Sequence, residues 1–179
     1  MHRSGGRFRI SLNAPVTLAF VGLCLAAQLL NALTGGAGNR LVFSVYRSSL
    51  GDPLTYVRSF CHVFGHADWG HLTGNMTYIL LLGPMLEEKY GWKNLLAVIL
   101  VTAVITGVIH NLLFPRTMLL GASGVVFAMI LLTSFTDFRE GEIPLTFILV
   151  AAIYLGQQIW QGVTLLAIYT GFCAFQFFL

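Results

Sequence analysis

Ser123 stands in Gly121-Ala122-Ser123-Gly124 at the head of an apolar run, and far upstream His71 and Asn75 stand four residues apart at the head of another. A serine hydroxyl becomes a nucleophile when a base takes its proton. An imidazole N–H and a carboxamide N–H2 are both donors, the groups that hold the oxyanion of a tetrahedral intermediate in acyl transfer. On a helix, positions 71 and 75 share one face. A serine at a helix N-terminus also has backbone N–H groups and the positive dipole end directed at any anion beside it. The small residues have a plainer use: Gly121 and Gly124 allow close backbone approach, and Gly124 with Ala128 makes a small-xxx-small packing face. Taken alone, that packing use is the commoner one, and it is the donor pair together with the serine that favours chemistry.

The depth of the serine follows from helix length. Counted from Gly121 to Phe135, the run is about 15 residues, or ~22 Å, against the ~30 Å of a hydrocarbon core. With its polar end held by Asp137, Arg139 and Glu140, its other end stops beneath the opposite surface. Ser123 is then inside the membrane and needs water or protein around it.

His62, His66 and His71 also suggest a metal site. They lack the tight two-histidine helical motif with a carboxylate, so no metal is expected, and His62 and His66 can equally satisfy loop backbone.

These residues must be positioned by membrane helices. Only 9% of the 179 residues are charged and 56% are apolar, far from the roughly one quarter charged of soluble chains. An all-α, polytopic membrane protein is implied, with room for about six spans and no separate soluble domain. Cys24, Cys61 and Cys173 are scattered in apolar contexts and read as packing. No basic stripe interleaved with aromatics suggests nucleic acid.

Residues 1–14 form a polar tail with Arg3, Arg7 and Arg9, which places the N-terminus in the cytoplasm by the positive-inside rule, and residues 15–179 form the transmembrane domain. The run from Pro15 to Thr34, about 20 residues, is too long for a signal-peptide core and is read as an uncleaved first span. Residues 35–66 are too polar to span and too apolar for a solvated loop, so they are expected in the outer interface. Further spans are read at Trp69–Leu86, Leu95–Phe114, the serine helix, Ile143–Trp160 and Val163–Leu179. Alternation puts Lys89, Lys93 and Arg139 inside, but Arg40, Arg47, Arg58 and Arg116 outside, against the usual asymmetry.

With those residues in place, the chain resembles the rhomboid family of intramembrane serine proteases over about Arg58 to Tyr154. His62, His66 and His71 followed by Asn75 resemble the family's histidine-rich entry to its second helix, and Gly121-Ala122-Ser123-Gly124 resembles its Gly-x-Ser-Gly motif. The resemblance implies a six-helix bundle in the membrane, with Ser123 as nucleophile and His71, Asn75 and the Ser123 backbone N–H as oxyanion hole. It implies that Phe127 stands where an aromatic ring stacks on the catalytic histidine. Arg58 falls on the arginine of the first loop's Trp-Arg motif, with Val57 in place of tryptophan, and Glu87 on the glutamate closing the second helix. It further implies transmembrane protein substrates in a lipid bilayer, no cofactor, and residence in a bacterial inner membrane.

One departure stands out. The family's base is a histidine after alanine in the sixth helix, whereas the histidines here are His2, His62, His66, His71 and His110. The nearest likeness, Leu166-Ala167-Ile168-Tyr169-Thr170-Gly171, keeps small residues and no imidazole, and Tyr169 titrates too high to serve. The expected sixth helix is therefore truncated or altered. Either the end of the chain, Phe177-Phe178-Leu179, is damaged, or the protein is an inactive relative that binds transmembrane segments without cutting them. An unrelated transporter or channel component is disfavoured, since no charged residue falls within an expected span.

Overall fold

The computed structural model describes residues 12–114, 116–135, 143–157 and 159–160. The arginine-bearing tail, Pro115, the Asp137 cluster, the expected sixth span with Ala167, Ile168 and Tyr169, and Cys173 lie outside the described residues. Among the described residues the chain is helical, with one isolated bridge between Val45 and Leu119. It divides into two compact units, Met1–Met129 and Ile130–Leu179.

In the first unit, α1 (Pro15–Leu33) opens on a proline, whose missing N–H and fixed φ suit a first helical position. It ends where the Thr34 hydroxyl turns back to the Leu30 carbonyl, 2.7 Å. The segment that follows is folded rather than merely interfacial. A short α2 (Ala37–Leu41) leads to the bridge, where Val45 and Leu119 exchange both backbone bonds at 2.9 Å. Next, α3 (Pro53–Cys61) is capped by the Asp52 carboxylate, which accepts from Leu54 N–H, 3.0 Å. A single 3-10 turn, His62–Phe64, then descends to α4.

Helix α4 (Trp69–Tyr90) starts at Asp68, whose carboxylate accepts from the His71 N–H, 2.8 Å. It runs a full turn beyond the expected end at Leu86, so Glu87 lies inside the helix. After the tight turn at Gly91, α5 (Trp92–Leu113) returns. The helices α1 and α4 close where Gly83 faces Thr17, a Cβ at 83 falling 2.6 Å from the Thr17 hydroxyl. Gly107 of α5 lies equally tight on the Ser59 carbonyl of α3. Phe20, Cys24, Leu72, Ile79, Leu95, Ile99 and Ala103 fill the centre. On the outer side of α5, Val101, Val104, Ile105, Val108, Ile109 and Leu112 are exposed. A continuous apolar face on a 22-residue helix is the surface of a segment solvated by hydrocarbon. Among the described residues, α1 and α5 are long and apolar enough to cross a membrane.

The last helix to enter this unit, α6 (Ser123–Phe135), has 13 residues. It begins at the serine itself and not at Gly121, because Gly121 is held at φ +126°, outside the helical range. In the second unit, α7 (Leu145–Gln157) is a shorter apolar helix.

Candidate active site

The donor pair is placed by the first turn of α4. Capping at Asp68 fixes where the helix starts, and His71 and Asn75 then fall one turn apart on one face. Asn75 is buried, and its Nδ2 has no hydrogen-bond partner among the described residues. His71 is half-buried, its ring meeting that of His66 edge-on with centroids 5.1 Å apart.

Against this face lies Gly121. A Cβ built there would sit 2.8 Å from His71 Cε1, 3.0 Å from His71 Nε2 and 3.9 Å from Asn75 Nδ2. Both the positive φ and this approach require glycine. The strap leading to it is held twice: Leu119 is bridged to Val45, and Gly121 N–H donates to the His62 carbonyl, 2.9 Å. Two residues on, Ser123 is the first residue of α6 and half-buried. Gly124 packs on α5, a Cβ there lying 3.2 Å from Thr106 Cγ2, so the packing use of the small residues is realised beside the site. Phe127, one turn beyond Ser123, is half-buried on the same face.

The other two histidines brace the site. Buried His62 bonds through Nε2 to the Thr106 hydroxyl of α5, 3.2 Å, while its carbonyl takes Gly121. Buried His66 bonds through Nδ1 to the Phe64 carbonyl, 3.1 Å, and its own carbonyl accepts from Asn39 Nδ2, 2.8 Å. Both lie outside the helices read as spans, and burial pushes each imidazole down to about 4. Their rings point to different partners, and among the described residues no three His, Cys, Asp or Glu side chains converge on a metal geometry. His110 is engaged elsewhere, its Nε2 3.0 Å from the Thr117 carbonyl and its ring stacked on Phe114.

Two residues that the sequence aligned with the site act at a distance from it. Arg58 is buried, pairs with Asp52 at 2.6 Å, donates to Ser48 Oγ at 3.2 Å, and stacks over Tyr46. It thereby closes the 41–58 segment on itself. Glu87 is buried at the far end of α4, where its carboxylate accepts from Val16 N–H, Thr17 N–H and the Thr17 hydroxyl at 2.9 to 3.0 Å. Ala14 offers α1 no side-chain cap, so Glu87 caps it from another helix. Sequence reasoning missed Thr17, Thr106, Asp52 and Asp68. The two aspartates carried a signal, an acidic residue just before Pro53 and just before Trp69.

The assembly is thus a glycine strap pressed onto two donors, leading directly into a serine at a helix N-terminus. Comparison with known proteins bears on what such an assembly is. The family described as Rhomboid domain matches residues 53–176. Rhomboid-like protease 2 of Toxoplasma gondii is 40% identical over 74 residues, 41% of this chain and 26% of that protein. Rhomboid protease GlpG of Yersinia pestis (strain Pestoides F) is 33% identical over 116 residues, 64% of this chain and 41% of that protein. GlpG of Yersinia pseudotuberculosis serotype O:3 (strain YPIII) matches to the same extent. The chain spans less than half the length of these relatives. With a family match covering well over half of its own residues, the chain belongs to the rhomboid family of intramembrane serine proteases.

Proposed function

We propose that this chain is a rhomboid-type serine endopeptidase that cuts transmembrane protein substrates within the bilayer, with Ser123 as nucleophile. The observation that carries the reading is Gly121 seated against His71 and Asn75, with a buried Asn75 Nδ2 donor unpaired among the described residues. A buried donor without a partner is costly. It is useful where negative charge develops during a reaction.

In this mechanism a substrate helix unwinds near the outer surface and lays a peptide carbonyl over Gly121. The Ser123 hydroxyl attacks, its proton passes to a base, and charge gathers on the carbonyl oxygen. His71, Asn75 and the Ser123 backbone N–H donate to that oxygen. The amine leaves with a proton, and water then cleaves the acyl-enzyme. The frame proposed is six membrane helices, residues 15–179, with the tail 1–14 in the cytoplasm of a bacterial inner membrane.

A second reading is favoured by one observation: no histidine follows His110 in these 179 residues, while the family resemblance assigns the base to the sixth helix. On it the chain binds transmembrane segments without cutting them. A serine-directed fluorophosphonate separates the two. Labelling at Ser123, abolished in Ser123→Ala, supports the protease; absence of labelling, restored by Ile168→His, supports the inactive relative.

A further inference from the structure

Arg40, Arg47, Arg58 and Arg116 run against the charge asymmetry expected of an outer face. Arg58 is accounted for by Asp52. The other three are exposed, and among the described residues none has an ion pair. They belong to different segments, Arg40 to α2, Arg47 to the stretch just past the bridge residue Val45, and Arg116 to the turn before Leu119. Even so they line one cavity of about 340 Å³, with Tyr46, Thr117 and Met118.

Three arginines lining one cavity call for an anion with several acceptor oxygens, and phosphate suits the planar donor forks of their guanidiniums. The phosphate could be free or part of a lipid. Met118, which lines the cavity, and Leu113 and Phe114, three and two residues before Arg116, are exposed apolar side chains. A free phosphate has no use for them, whereas a phospholipid fits both halves, its headgroup among the arginines and its acyl chains on the apolar residues.

We propose that this cavity binds the headgroup phosphate of an anionic phospholipid. On the topology proposed above, the lipid comes from the outer leaflet. Bound there, it ties Arg40 and Arg47 to Arg116 across the Val45–Leu119 bridge. It thereby stakes the strap that continues through Leu119 and Leu120 to Gly121 and Ser123.

Native mass spectrometry of the full chain in detergent tests this without needing cleavage, so an inactive serine leaves the result readable. The probes are phosphatidylglycerol, phosphatidylcholine, inorganic phosphate and an Asp/Glu-rich peptide. Phosphatidylglycerol is expected to bind most tightly, and to bind about tenfold more weakly to the R40Q/R47Q/R116Q variant, the order expected for lost charge-assisted bonds. Lys93→Gln, at the other end of α5, should leave binding unchanged. Should the triple glutamine variant unfold, the R40K/R47K/R116K variant, which keeps the charges but not the forks, is expected to bind several-fold more weakly. Equal binding of phosphatidylcholine, tighter binding of inorganic phosphate or of the acidic peptide, or full binding in both triple variants would overturn the proposal.

Discussion

The Gly121 amide donates to the His62 carbonyl at 2.9 Å, so the backbone just before the serine hangs from the turn just before α4. From that turn the chain continues through the Asp68 cap into α4, which carries His71 and Asn75. The strap before Ser123 and the His71/Asn75 pair are therefore both joined to one short piece of chain.

Gly121→Ala tests this registration. The new methyl meets the His71 ring at 2.8 Å, and φ +126° disfavours any side chain. Backbone strain of this kind costs on the order of 1–3 kcal/mol. If the chain is labelled by fluorophosphonate, the labelling rate is expected to fall by on the order of 10²-fold, as for a displaced oxyanion donor. A variant that labels at the parent rate would show that the strap relaxes without disturbing His71.

Asn75→Ala separates function from stability. Its Nδ2 has no partner among the described residues, so removing it leaves no complementary group stranded. Turnover of a transmembrane reporter in vesicles is expected to drop by about 10²–10³-fold. Thermal unfolding in detergent should shift little. A large fall in Tm would instead make Asn75 structural.

Glu87→Ala has the opposite signature. It strands two N–H groups and a hydroxyl at the start of α1, with an expected loss of about 2 kcal/mol or more. Thr17→Val removes the hydroxyl bond alone and should cost about 1 kcal/mol. Thermal melts of both variants, at matched detergent, give the ordering.

Acid should loosen the 35–66 segment in two stages. His62 and His66 are held neutral down to about 4, against 6.5 when unfolded. As pH falls below 6.5 the unfolded segment takes up protons that the folded one refuses, so stability declines until about pH 4 and then levels. Asp52 acts lower: Leu54 N–H and then Arg58 hold its carboxyl below 3.8, and its support is lost only as pH falls through that depressed value. Hydrogen exchange over residues 43–66 against pH should show the first stage in the parent and in Asp52→Asn alike.

Residue types and spacing singled out the groups that the structure brings together at Gly121, His71 and Asn75. The helical repeat puts His71 and Asn75 on one face, whereas the small neighbours of Ser123 alone favour packing and only its combination with that pair singled it out. The unusual polarity of residues 35–66 was visible too, but not that Asn39, Asp52 and Arg58 fold the segment on itself. Those bonds join residues through space, and no local period announces them. Glu87 is the clearest case. Its partner Thr17 lies 70 residues away, and α4 runs past the expected end because Glu87, though charged, is paid for by α1. The φ of Gly121, which delays α6 until Ser123, needs glycine, but the face that Gly121 meets lies far off in sequence and has no local signal.

The Glu87 cap also has a consequence for how the chain is made. During synthesis α1 is made before α4, so its opening amides wait for a carboxylate partner that follows 70 residues later. Helix α1 cannot finish its own hydrogen bonding before α4 has been made and docked against it. Completion of α1 is therefore a late event, locked from a distance by a residue translated long after it.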